Sequence, residues 1–368
     1  MAMYRVYSER LVPYGRGWAP WDPSPGVNAE TDARNPPVQI GDVGYMLAGQ
    51  FQRLFNVHLA HDDPAQADDL PDGFEALPLH RARDVQKAKV RPQVFCSQMV
   101  SAVGASAGAS GTALFAGRLS FSSARTQGAV LAIPDTVHAE QIRNPGAYDR
   151  YVETHAERWH ALAARRHLGL QMEDLMLVTG RDLTKSWGNA VFCDHSLDGR
   201  ISLEVDFAPL GGAQVASHIR WTNVQNAMIN WGPDPEDEEE EEEEAEAAPA
   251  SDAVEGPSAG APSSARRRVP LNTRDDQCIF IRHVCAKKRR MFHFPRKMKA
   301  AAEPRDPDRG EDFDGDGSVS GIASGPRAWE SGHGKSHLLP VLDYILENSD
   351  VDIAIAHDGD LLPFLIVS

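Results

Sequence analysis

The run His357-Asp358-Gly359-Asp360 gathers one imidazole and two carboxylates directly after an apolar stretch. In α/β enzymes, functional groups commonly sit just past the carboxyl end of a strand. Imidazole nitrogen and carboxylate oxygen suit a divalent metal, and such an ion can activate water for hydrolysis. His61-Asp62-Asp63 is a second cluster of the same type. Spacing alone does not bring the two together, so ordinary loop polarity is the competing reading.

Asp312, Asp314 and Asp316, followed by Gly317 and Val319, match the first eight positions of an EF-hand calcium loop. The twelfth position is Ala323, so the bidentate carboxylate is missing. The flanking Pro and Gly residues do not supply the two helices, which leaves a solvated acidic loop with at most weak calcium affinity. Gly332-His-Gly-Lys-Ser336 has the tail of a phosphate-binding loop, but Trp329 stands where its first glycine belongs. No Gly-x-Ser-x-Gly, His-Glu-x-x-His or Cys–His signature is present. No catalytic residue is assigned and no cofactor is expected.

Charge is strongly segregated. Asp234 to Glu246 is acidic at eleven positions and basic at none, within a formal net charge of −16 for the chain. Beyond a Pro/Ala/Ser/Gly linker comes Lys287-Lys288-Arg289-Arg290, with Phe292, His293 and Phe294 close behind. A basic run with interleaved aromatics fits an import signal or polyanion contact, and it fits equally a strand end whose aromatics return to the core. The acidic tract competes for the same cations and disfavours nucleic acid. The carboxylates from Glu238 to Glu244 offer a contact for basic proteins, or simply a solubilising linker.

The chain is 42% hydrophobic, enough for a real core. The opening Met1-Ala-Met-Tyr-Arg-Val lacks the apolar run of a signal peptide, and no stretch has the roughly 20 apolar residues of a membrane span. Cys96, Cys193, Cys278 and Cys285 follow no zinc or redox spacing and sit among apolar neighbours. Buried free thiols in a reducing compartment are expected, which places the protein inside the cell, in cytoplasm or nucleus.

These groups need a scaffold, and the hydrophobic pattern supplies one. Residues 1–39 read as an irregular Pro/Trp-rich arm, held by Tyr14, Trp18 and Trp21. Val43-Gly-Tyr-Met-Leu and Phe51-Gln-Arg-Leu-Phe-Asn-Val predict a hairpin across a glycine turn. Strands are predicted at 93–103, 113–122 and 128–133. Asn144-Pro145 opens a helix to about 167, with Tyr148, Tyr151, Val152, His155, Trp159 and Leu162 on one face. His155 on that stripe reads as a core histidine rather than a ligand. Further strands follow at 173–179, 187–193, 201–207 and 215–224, with Gly180 to Trp187 as a turn. A helix over Leu338–Glu347 and a strand over Val351–Ala356 close the chain. The strands at 215–224 and 277–285 are expected to be neighbours, with the charged segment looping out at small entropic cost.

Gly41-Asp-Val-Gly-Tyr, Phe51-x-x-Leu-Phe-Asn, Gly128-Ala-Val-Leu-Ala-Ile-Pro, Leu177-Val-Thr-Gly-Arg-Asp-Leu-Thr-Lys-Ser-Trp-Gly and Gln277-Cys-Ile-Phe-Ile-Arg together resemble a family of uncharacterised proteins of mushroom-forming fungi. The resemblance covers about 40 to 285 and again 336 to 358. It implies that the body is one unit and the charged segment an insertion, and it brings no activity or functional residue with it. Where that family tends to Asp-Asp-Asp-Trp, this chain has Asp358-Gly-Asp-Leu.

The reading is an α+β protein: an antiparallel-rich sheet, one long amphipathic helix and a C-terminal helix–strand unit, interrupted by a disordered charged insert. Its parts are the arm 1–39, the body 40–232, the insert 233–268, a strand with basic extension 269–299, a flexible loop 300–333, and the completing 334–368. An interaction protein using the charged insert is the first functional expectation. The second is a metal-dependent hydrolase using His357, Asp358 and Asp360, and the third a β-rich membrane-acting defence protein.

Overall fold

The computed structural model describes residues 2–26, 35–98, 100–103, 119–123, 127–192, 199–210, 214–225, 227–233, 274–289 and 336–361. It is α+β with entirely antiparallel sheets. Strands β1 (Asp42–Leu47) and β2 (Gln50–Asn56) form the expected hairpin, turning at Ala48-Gly49, both with positive φ. They join a seven-stranded sheet with β3 (Val85–Val90), β8 (Val137–Ile142), β9 (Met176–Thr184), β14 (Gln277–Lys288) and β15 (Ile353–His357). One four-stranded sheet contains β4 (Gln93–Cys96), β7 (Gly128–Ile133), β10 (Trp187–Phe192) and β13 (Ala227–Gly232). A second contains β5 (Val100–Val103), β6 (Leu119–Ser123), β11 (Gly199–Leu210) and β12 (Gln214–Gln225).

Two helices cover the large sheet. Helix α3 (Gly146–Arg165) follows α1 (Met3–Leu11) and the short α2 (Arg81–Asp84) in the chain. Asn144 Oδ1 accepts the Gly146 N–H at 3.2 Å, although Pro145 rather than Asn144 takes the N-cap position. The apolar stripe of α3 packs Tyr148, Val152, Trp159 and Leu162 against Phe55, Leu177 and Val284. On the other face, helix α4 (Leu339–Asn348) seats Val341, Leu342 and Leu346 against Met176, Val178, Ile281, Cys285 and Ala356. Strands β9 and β14 are therefore covered on both sides, and β9 is buried at every position. The first small sheet is likewise enclosed. In β7, Ala129, Leu131 and Ile133 face α1, while Val130 and Ala132 face Phe121, Ile201 and Trp221 of the second.

Four expectations are corrected. The N-terminal arm is not irregular throughout, because α1 precedes the first proline, Pro13, and buries Val6, Tyr7 and Leu11 at helical spacing. Among the described residues, the stretch from Gly15 to Gly26 runs without helix or extended strand, as do residues 35–39, and it is tied by bridges from Trp18 to Ile281 and from Asp22 to Gln50. Gly17, at φ +94°, permits that approach: a Cβ there would stand 2.3 Å from the Ile281 carbonyl oxygen. Second, Gly180 to Thr184 is no turn but the continuation of β9. Arg181 and Asp182 look like loop residues, yet both are buried and ion-paired. Third, the run 93–103 breaks into β4 and β5, which lie in different sheets, and the polar strands β3 and β8 were not expected at all.

Fourth, β12 is not beside β14. Strand β12 pairs with β11, and β14 lies between β9 and β15. The chain nevertheless departs and returns at one place. Gly232 pairs with Trp187, and Gln277 Oε1 accepts the Trp187 indole N–H at 2.9 Å. The acidic run Glu238 to Glu244, Arg290, and the loop carrying Asp312, Asp314 and Asp316 lie outside the described residues. Among the described residues, no helix is long and apolar enough to cross a membrane.

Candidate functional site

Register decides which residue of the His357-Asp358 pair enters the core. Strand β15 pairs Val284 with His357, so the next position along sets Asp358 opposite His283. Neighbouring residues of an extended chain point to opposite faces. His357 turns toward α3, where its Nε2 meets Asp149 Oδ1. Asp358 turns to the side where α4 begins, and there it meets His337, two residues before that helix.

The resulting cluster is His283, His337 and Asp358, with ligand-type atoms all within 4.8 Å of one another. Asp358 Oδ2 accepts the His283 backbone N–H at 2.5 Å and lies 3.1 Å from His283 Nδ1. Asp358 Oδ1 lies 2.8 Å from His337 Nε2. Trp18 closes the site, its ring 5.1 Å from that of His337 and 6.2 Å from that of His283. His283 is wholly buried, yet neither ring nitrogen has a hydrogen-bond partner of good geometry. A buried polar atom left in this way costs about 1–3 kcal/mol.

Electrostatics hold the carboxylate ionised. Burial by itself would raise Asp358, but the adjoining His283 and His337 rings outweigh it and hold the acid well below the ordinary carboxylate range. Burial pushes His283 downward, and the charge of Asp358, helped by the Cys285 thiol, overrides it and carries the ring well above the usual value. His337 stays lowered, chiefly by burial, although Asp358 opposes the shift.

Two imidazoles and one carboxylate form a donor set for a divalent transition metal, with coordination positions left for water or substrate. Asp358 is already oriented by a backbone N–H, the outer support that metal-binding carboxylates use. His283 and Asp358 also border a cleft of ≈ 630 Å³ walled by β3, β8 and the segment Tyr14-Gly15-Arg16.

Of the residues singled out in the sequence, Asp358 alone belongs to this cluster. Asp360 instead accepts the backbone N–H of His357 and caps the end of β15. His61 and Asp62 are exposed, and Asp63 stabilises its own turn by accepting the Ala65 N–H. Lys287 and Lys288 end β14 as ion-pair partners, to Asp343 and Glu157 respectively, both at 2.6 Å. Arg289 donates to the carbonyl oxygens of Ser349 and Val351. His155 is buried as expected, its ring against Tyr151 at 4.3 Å. His283 and His337 were missed because each is isolated in sequence. One adjoins the Gln277–Arg282 phrase and the other follows Ser336 of the imperfect phosphate-loop pattern.

Comparison of the chain with protein-family models, curated proteins and solved structures gives no match.

Proposed function

We propose that the body is a divalent-metal protein whose ion is held by His283, His337 and Asp358 and acts beside the cleft. The observation that carries this reading is the wholly buried His283 ring, with Nδ1 3.1 Å from Asp358 Oδ2 and neither nitrogen in a hydrogen bond of good geometry, beside a second imidazole, His337. An ion bound here takes the place of the ring proton and gives the imidazole nitrogens and the carboxylate a common partner. Metal-assisted hydrolysis is the reaction class that this donor set suits best, with the ion lowering the pKa of bound water. Elemental analysis of the purified full-length chain, with zinc, manganese and iron(II) titrations after chelation, tests it. Stoichiometric uptake that disappears in His337→Ala supports the site. A chain that takes up none of these ions refutes it.

A second reading concerns the charged insert and is independent of the ion. The segregated acidic run suits a basic protein partner. Its support is that the two ends of the segment, at Gly232 and Gln277, both meet Trp187 of the body. Affinity capture with and without residues 233–268 tests it, and an unchanged partner list removes the insert from the account.

A further inference from the structure

The cleft beside the proposed ion carries more positive charge than its own carboxylates balance. Arg16 and Arg282 both line it and share one wholly buried carboxylate, Asp182. Arg16 donates to Asp182 Oδ2 from Nε at 2.8 Å and from Nη2 at 2.5 Å, while Arg282 Nη2 reaches Oδ1 at 2.8 Å. One negative charge thus serves two guanidinium groups. Glu140, also in the wall, is shared between Lys87 at 2.7 Å and Arg181 at 2.8 Å, again one carboxylate to two cations. Arg143, a third arginine lining the cleft, is exposed, and its side chain has no ion pair among the described residues.

Arg16 and Arg282 are also held in place, as a recognition site requires. Arg16 lies over the rings of Phe95 and Phe280, at 6.0 and 5.7 Å from their centroids. Arg282 crosses β9 at Gly180, where an added Cβ would stand 2.5 Å from its Nε. That Nε is buried and without a partner, while Nη2 is fixed by Asp182 and by the carbonyls of Glu140 and Arg181. A ladder irregularity between Arg282 and His283 sets the arginine beside the proposed metal ligand at the cleft wall. Planar guanidinium forks with spare donors match carboxylate and phosphate oxygens. A volume of ≈ 630 Å³ falls within the range of small-molecule sites.

We propose that this cleft binds a small organic anion, through a phosphate or carboxylate group, on Arg16, Arg143 and Arg282. The proposal supplies the substrate class for the metal reading, and the arginine contacts themselves require no ion. Calorimetric titration of the chelator-treated full-length chain with inorganic phosphate, and separately with succinate, separates the two chemistries. Binding of either anion is expected, about tenfold weaker in Arg143→Ala, as for the loss of one charge-assisted contact. Arg16→Lys keeps the charge, loses the fork, and is expected to weaken binding too. Zinc uptake is measured separately on the same preparation, so failure of the ion site and failure of the anion site are distinguishable. No binding of either anion overturns the proposal, as does binding unchanged in both arginine variants. Anion binding seen only after zinc loading, and abolished by His337→Ala, assigns the anion to the ion and overturns the arginine site.

Discussion

Asp358 accepts the backbone N–H of His283 at 2.5 Å, linking residues 75 positions apart across the β14–β15 ladder. The same carboxylate that completes the proposed metal site is therefore part of the sheet, and its neighbour His357 points to the opposite face. His357→Ala should lose its contact with Asp149 yet leave zinc affinity within about threefold, whereas His337→Ala should weaken it by more than about 100-fold, beyond what an outer-shell change costs. Asp360→Asn is expected to resemble His357→Ala. Competition with a chromogenic chelator measures all three variants, and equal losses would return the site to the clustered residues at the chain's end.

Glu140 links β8 to β9 through Arg181 and to β3 through Lys87. Burial pushes its carboxyl up, but the hydrogen bonds and charges of Lys87 and Arg181 prevail and hold it below the ordinary value. A folded-state pKa below the unfolded one means stabilisation that is fully present above about pH 4.3 and lost as pH falls through the folded value. Glu140→Gln should lower stability at neutral pH by about 3 kcal/mol, as expected when one partner of a largely buried pair is removed. Urea denaturation from pH 7 to pH 3 should show the gap between the two proteins closing on the acid side. A gap that stays constant would mean that the charge of Glu140 is not the source.

Tyr7 Oη donates to Asn189 Oδ1 at 2.8 Å, and both residues are wholly buried. Asn189 in turn donates to the Trp21 carbonyl, so one amide ties α1 and the following segment to β10. Tyr7→Phe leaves the asparagine oxygen unsatisfied in the core and should cost about 1–3 kcal/mol. The denaturation midpoint should fall without a change in the slope. A loss near zero would mean that α1 is held by its apolar contacts alone.

Burial pushes the thiols of Cys96 and Cys278 up to about 12. The thiolate is the reactive form, so both should resist iodoacetamide at pH 8 and react promptly once the chain is unfolded. Peptide mapping after timed alkylation distinguishes them from the other cysteines. Rapid native labelling of Cys278 would contradict its enclosure against Leu183 and Ile281.

Much of the fold follows from patterns that short segments carry alone. The α3 stripe, the hairpin at Gly49, the apolar run of β7 and the closing helix and strand each have a period or punctuation that local physics enforces. What local pattern cannot reveal is polarity satisfied from afar. Arg181 and Asp182 resemble turn residues until Glu140, Arg16 and Arg282 arrive from elsewhere to neutralise them, and β9 then continues straight through. The site behaves in the same way. The sequence by itself determined that Asp358 follows a strand and that an imidazole and a second acid stand beside it. Only the tertiary structure decided that its partners are His283 and His337. Strand register sends adjacent side chains to opposite faces, and helix α4 delivers a histidine to one of those faces alone.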